Sequence, residues 1–296
     1  MGNSFMARVA ALYFRLQPKR TEAWYDNHLA ALQKEPQPLS PPPRNMACRT
    51  EDGPRGRVFW LNEGGQGPYT VFYLHGGSYI HDFSYFHWRF LKKLIERTDA
   101  AVAAPAYALA PWGTWREAFE LILPLFTAYA AAHPERKLIL MGDSAGGGLA
   151  AAVALELQRT GMRLPDELIL LSPWMDVTIS DPAIDAFIPR DPWLTPAHRA
   201  CGRWWAGKLD PRDPRVSPGY GDWRGFRHVT VFAGTREILN PDSVKLYEGL
   251  DRDGTNELVL REGMFHVYPL LPIPEAKEAV DRIVEKIVRK REEVRS

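Results

Sequence analysis

Cysteine is scarce in this chain: Cys48 and Cys201 are the only two among 296 residues. Two cysteines are too few for a disulfide framework, and no histidine spacing supplies the other ligands of a metal cluster. We therefore expect no bound metal. A reducing compartment, the cytoplasm, is the simplest location for such a chain.

An excess of charge and a long apolar run are absent as well. The net charge of +1 argues against a nucleic acid or an acidic partner. No apolar stretch reaches membrane-spanning length, so we expect no stable membrane insertion. Near the N-terminus, Arg8 and Arg15 interrupt any signal-peptide core, and Met6 breaks the myristoylation pattern. The composition is that of a globular protein with a large core, and assembly as a homodimer is left open.

Strand-like and helix-like segments alternate from about residue 55 onward, which predicts an α/β fold with a mainly parallel sheet. The predicted strands are Arg57–Leu61, Thr70–Leu74, Ala100–Ala104, Lys137–Met141, Leu168–Ser172, Val229–Ala233 and Glu257–Arg261. The predicted helices are Tyr85–Arg97, Trp115–Ala132, Ala145–Arg159, Pro241–Asp251 and a last one from Pro274 to the C-terminus.

Two regions interrupt this alternation. Residues 1–45 read as amphipathic helix followed by a proline cluster, and residues 175–226 are rich in proline and aromatic residues. An insertion of this length between two strands is too long for a simple connection. We expect 1–45 and 175–226 to cover the site as a cap, and 46–174 with 227–296 to form the core.

A serine stands at a predicted strand-to-helix turn, in the sequence Gly-Asp-Ser-Ala-Gly. Gly142 and Gly146 flank Ser144 at two residues on each side. Glycine suits a turn so tight that a Cβ would strike the neighbouring strand or helix, and such a turn exposes the serine hydroxyl. The alternative is a glycine-rich helix start with Ser144 as its N-cap. The strand before and the helix after the serine favour a nucleophile.

A nucleophilic serine requires a base. Where a strand, a G-x-S-x-G turn and a helix carry the nucleophile, the catalytic order along the chain is Ser, acid, His, and His266 is the only histidine beyond the strand at 229. It follows the last predicted strand and should lie at the same sheet edge as Ser144. His228 precedes its strand and should lie at the opposite edge, and His75 is expected to brace a glycine turn.

Three carboxylates lie after strands in the interval where the acid is expected. Asp242 follows Pro241 in what reads as the first turn of a helix, where a negative charge is favourable without any catalytic role. Asp176 opens the cap insertion and is a weaker candidate. Glu237 has no capping role to explain it, so we favour Glu237 while Asp242 and Asp176 stay open.

The motifs together resemble the hormone-sensitive-lipase-like branch of the α/β-hydrolases, which are bacterial esterases with a helical cap. The resemblance rests on "HGGSY", "APAYALAP", "GDSAGG" and "LSPWMD", in that order. It implies oxyanion donors at the amides of Gly77, Ser78 and Ala145. Ser78 replaces the usual third glycine of the family, so its φ is either negative or strained. Glu-Ile-Leu at Glu237 replaces the family pattern Asp-Pro-Leu.

These residues predict a serine carboxylesterase that acts on short-chain esters through an acyl-enzyme, without a metal or cofactor. Trp193, Trp204 and Trp205 of the cap are candidates for the acyl pocket, although core packing would equally explain each of them. Two alternatives stay open. One is a ligand-binding protein on a hydrolase scaffold, and the other is a peptidase or acyltransferase that uses the same triad.

Overall fold

The computed structural model describes residues 2–252 and 255–289, which form one eight-stranded sheet with helices on both faces. The strands are β1 (Cys48–Gly53), β2 (Gly56–Leu61), β3 (Tyr69–Leu74), β4 (Ala101–Ala106), β5 (Lys137–Asp143), β6 (Glu167–Leu171), β7 (Val229–Gly234) and β8 (Glu257–Arg261). Their order is β1-β2-β4-β3-β5-β6-β7-β8. β1 and β2 are antiparallel to their neighbours, and the other pairs are parallel.

The helices are α1 (Phe5–Leu16), α2 (Glu22–Leu32), α3 (Tyr85–Thr98), α4 (Trp115–Ala132), α5 (Ser144–Arg159), α6 (Arg199–Ala206), α7 (Asn240–Gly249) and α8 (Glu275–Val288). The predicted α/β class and all seven predicted strands are confirmed. The last helix was expected to reach the C-terminus, but α8 ends at Val288, because Arg289 leaves the helical conformation with ψ of 134°. Residues 290–296 of that prediction lie outside the described residues.

β1 was not predicted, because its sequence CRTEDG has no alternation of apolar residues. Five of its six residues are exposed, as an edge strand allows. The central strands are different: β5, β6 and β7 are buried along their whole length, since helices cover both faces of a parallel sheet. Near-continuous apolar runs of this kind made them predictable.

The insertion at 175–226 is less helical than expected for a helical cap. It contains α6 and three short 3-10 turns, and the rest is irregular. The N-terminal segment contributes α1 and α2, and α2 packs on α6. Glu22 of α2 accepts from both Arg199 and Arg203 of α6 at 2.6 Å. The two segments therefore contact each other through α2 and α6.

No helix among the described residues is both long and apolar enough to cross a membrane.

Candidate active site

Ser144 lies at the first position of α5, directly after β5. Its φ is +52°, in the left-handed region that a residue with a side chain rarely adopts. The neighbouring backbone makes this turn tight: a Cβ on Gly146 would overlap the carbonyl oxygens of Leu74 and His75, and one on Gly142 would overlap the carbonyl oxygen of Gly146. The strained turn holds the hydroxyl at the sheet edge while α5 departs.

His266 and Glu237 approach Ser144 from the loops after β8 and β7. His266 Nε2 lies 2.8 Å from Ser144 Oγ, and His266 Nδ1 lies 2.8 Å from Glu237 Oε2. Glu237 is fully buried and His266 is 2% exposed. Because the Nδ1–H of His266 donates a hydrogen bond to Glu237, Nε2 carries the lone pair and can accept the hydroxyl proton of Ser144.

The other two candidate carboxylates have different surroundings from Glu237. Asp176 accepts hydrogen bonds from Thr178 and Tyr220 at the base of the cap insertion. Asp242 lies in the first turn of α7, as predicted, but burial, together with Asp176 and Asp181, raises its pKa to about 7. Its environment disfavours the charge, so the favourable helix-dipole interaction expected for Asp242 is outweighed. Asn240 is the first residue of α7, and its side chain donates to Gly234 O at 2.9 Å.

Ser172 contacts Glu237, and the sequence analysis did not single it out. Its hydroxyl donates to Glu237 Oε1 at 2.9 Å and accepts from the amide of Val267 at 3.0 Å. Glu237 Oε1 also accepts from Gly234 N at 2.6 Å. Ser172 therefore links the loop of Glu237 to the loop of His266. The available signal was its position at the end of a buried strand, beside the other two loops.

The glycine turn after β3 faces the same hydroxyl. Gly77 and Ser78 line one cavity together with Ser144 and His266. Their amides donate to no group among residues 2–252 and 255–289, and the first amides of α5, including that of Ala145, are those that a helix leaves unpaired. The φ of Ser78 is +56°. Of the two backbone conformations considered for Ser78 from the sequence, a negative φ or a strained one, the structure therefore has the strained one.

His75 and Asp143 brace this turn. Burial, reinforced by the nearby His87, lowers the pKa of His75 to about 3, so the ring is neutral and its Nδ1–H donates to Gly76 O at 2.8 Å. Asp143 accepts from Gly76 N at 2.9 Å and from the Tyr73 hydroxyl at 2.6 Å. Although burial opposes it, the neighbouring His87 and these donors hold the pKa of Asp143 below its usual value. The turn is thereby tied to the residue that precedes Ser144.

The cavity has a volume of about 890 Å³. Of the three tryptophans predicted for it, only Trp193 is among its lining residues, with its ring edge-on to His266 at 5.6 Å between centroids. Trp205 is instead buried and stacks on Tyr79 at 4.2 Å. Trp204 donates its indole N–H to Asp26 at 3.0 Å. The expectation for Trp204 and Trp205 is thus wrong, because α6 turns both toward neighbouring packing rather than toward the cavity.

Part of the cavity wall comes from α1, which lies in the segment 1–45 that the sequence analysis expected to cover the site. The contributing side chains of α1 are mostly apolar: Phe5, Met6, Val9, Ala10, Tyr13 and Phe14. Several of them are also largely exposed; Phe5 is 73% exposed and Tyr13 is 60% exposed. The buried side of α1 carries Ala7 and Ala11, whose small side chains let the helix approach the core. The N-terminal segment therefore forms part of the site.

Comparison with known proteins gives the family. A family model described as the alpha/beta hydrolase fold matches residues 71–270. An esterase of Acinetobacter venetianus is 30% identical over 221 residues, which is 73% of either chain. An acetyl-hydrolase of Streptomyces hygroscopicus is 31% identical over 231 residues, covering 75% of this chain and 76% of that one.

Among solved structures, a Staphylococcus aureus protein assigned as an esterase superposes with a TM-score of 0.86 at 26% identity, over 97% of this chain and 99% of the other. The match extends over both the sheet and the segments above it. The chain therefore belongs to the α/β-hydrolase family.

Proposed function

We propose that this protein is a serine carboxylesterase that hydrolyses short-chain esters, with Ser144 as nucleophile, His266 as base and Glu237 as acid. The observation that carries the proposal is the continuous pair of 2.8 Å hydrogen bonds from Ser144 to His266 and from His266 to Glu237. A hydroxyl, an imidazole and a carboxylate in this order form the arrangement that activates a serine.

The reaction uses these side chains twice. Ser144 Oγ attacks the ester carbonyl while His266 Nε2 takes its proton, and Glu237 stabilises the imidazolium. The amides of Gly77, Ser78 and Ala145 donate to the oxyanion that develops on the carbonyl oxygen. His266 then protonates the leaving alcohol, and a water molecule attacks the acyl-enzyme by the same route to release the acid.

The proposed substrate class rests on two observations. One relative that covers most of the chain is an acetyl-hydrolase. In addition, the Trp193 ring stands beside His266 and bounds the cavity next to the nucleophile. We also propose that residues 1–45 and 175–226 act together as the cap, since α1 and Trp193 line the cavity side by side.

The test is Ser144→Ala with p-nitrophenyl butyrate as substrate. We expect turnover to fall by roughly 10⁶-fold with the fold intact, because the members of such a triad act as a unit. Near wild-type turnover in this variant would refute the proposal. If the wild-type protein hydrolyses no p-nitrophenyl ester from acetate to palmitate, the ligand-binding alternative is favoured. If it cleaves p-nitroanilides faster than these esters, a peptidase is favoured.

A further inference from the structure

A buried carboxylate in the cap segment reaches the loop of the acid. Asp191 is 6% exposed, and its Oδ1 accepts from the amides of Trp193 and Leu194 at 2.8 and 2.9 Å. Its Oδ2 accepts from the amide of Ile238 at 2.9 Å. Burial raises the pKa of Asp191, and the three amides and His266 oppose that rise. Because Ile238 follows Glu237 directly, one carboxylate holds both the turn 191–194 and the loop of the acid.

Lys19 holds the same turn from its other side. Its ammonium, in the connection between α1 and α2, donates to Pro192 O at 2.6 Å and to Trp193 O at 2.9 Å. Phe14 of α1 stacks on the Trp193 ring at 4.0 Å with an interplanar angle of 11°. The same ring meets His266 edge-on, at 5.6 Å between centroids. Asp191 thus fixes the amides of the turn, Lys19 fixes its carbonyls, and the indole contacts both α1 and His266.

We infer that Asp191 is a positioning residue for the proposed esterase reaction: it holds in place both Glu237 and the part of the cavity wall formed by Trp193, the Trp193 wall. Lys19 holds only the Trp193 wall in place. The inference rests on the proposed function. The hydrogen bond between Asp191 and the loop of Glu237 requires a backbone N–H at position 238, and Ile238 provides it. The Asp-Pro-Leu pattern of the family that this chain resembles has proline at this position, and proline has no N–H.

The test compares Asp191→Asn, Lys19→Met and the wild type on p-nitrophenyl acetate and hexanoate. Asparagine keeps the shape of aspartate but turns an NH₂ toward a backbone N–H on one side. We expect Asp191→Asn to lower kcat on acetate by about 10- to 100-fold, since small misplacements of reacting groups have effects of this order. The loss of kcat in Lys19→Met should be at least tenfold smaller than the loss in Asp191→Asn.

The Lys19→Met variant should instead raise the hexanoate-to-acetate ratio of kcat/KM by about fourfold or more. A looser Trp193 wall would admit at least one further CH₂, and burial of one CH₂ corresponds to that factor. Asp213→Asn is the matched control. Asp213 lies in the same cap segment and, like Asp191, accepts a hydrogen bond from the backbone amide two residues later, that of Arg215, at 3.0 Å. We expect Asp213→Asn to leave both quantities unchanged.

The inference is overturned if Asp191→Asn keeps kcat within threefold of the wild type. It is also overturned if kcat falls as far in Asp213→Asn as it does in Asp191→Asn. If Asp191→Asn does not fold, the chain-length ratio of Lys19→Met decides, and an unchanged ratio overturns the inference. Ser144→Ala keeps the two proposals apart: if that variant is inactive while Asp191→Asn and Lys19→Met behave as wild type, only the positioning role fails.

Discussion

Replacing Glu237 by glutamine tests the acid, and the structure specifies how the new amide would sit. Oε1 of Glu237 accepts from Gly234 N at 2.6 Å and from the Ser172 hydroxyl at 2.9 Å. The hydroxyl could turn to accept instead, but the Gly234 N–H can only donate. The amide oxygen of a glutamine therefore takes the Oε1 position, and its NH₂ faces His266.

This orientation makes the base ineffective. An NH₂ that donates to His266 Nδ1 selects the tautomer with the proton on Nε2, so the ring presents N–H rather than a lone pair to Ser144 Oγ. The negative charge that stabilises the imidazolium is lost as well. We expect Glu237→Gln to lower kcat/KM by about 10⁴-fold, which corresponds to roughly 5 kcal/mol of transition-state stabilisation.

The assay is steady-state hydrolysis of p-nitrophenyl butyrate at pH 8, with circular dichroism to establish that both variants fold. Asp242→Asn is the control, because Asp242 was the rival candidate from sequence and lies in α7. We expect it to keep activity within a few-fold of the wild type. Glu237→Gln activity within tenfold of the wild type would refute the reasoning, and so would a loss of 10³-fold in Asp242→Asn.

Three further predictions concern substrate, stability and the serine turn. In a p-nitrophenyl ester series below micelle formation, kcat/KM should peak between acetyl and hexanoyl, since each CH₂ adds up to about 0.8 kcal/mol only while it meets apolar wall; a peak at dodecanoyl would contradict this. Asp242 has a pKa raised to about 7, so its charged form lowers the stability of the folded protein increasingly from about pH 4 to pH 7. Asp242→Asn should therefore raise the free energy of unfolding in urea, by on the order of 2 kcal/mol more at pH 8 than at pH 5. Equal gains at the two pH values would refute that. Gly146→Ala should lower kcat by at least ~10²-fold, because its Cβ would overlap Leu74 O, whereas Gly249→Ala, with nothing within 4 Å of its Cβ, should leave turnover unchanged.

The local features of this protein could be predicted from sequence. The buried strands β5, β6 and β7 are continuous apolar runs, and the turn at Ser144 is specified by glycines within two residues of it. The order of strands and helices limited the base to His266. Periodicity and turn chemistry act over a few residues, so a linear sequence displays them directly.

Contacts between distant segments were decided by the tertiary structure. Three carboxylates satisfied the sequence pattern, and only the packing of the loops after β7 and β8 shows that Glu237 is the one that contacts His266. Packing likewise placed Trp193 on the cavity and withdrew Trp204 and Trp205 from it. Asp191 and Ile238 are 47 residues apart in sequence. Such pairings depend on the shapes of all the intervening elements at once, which is information that no short stretch of sequence contains.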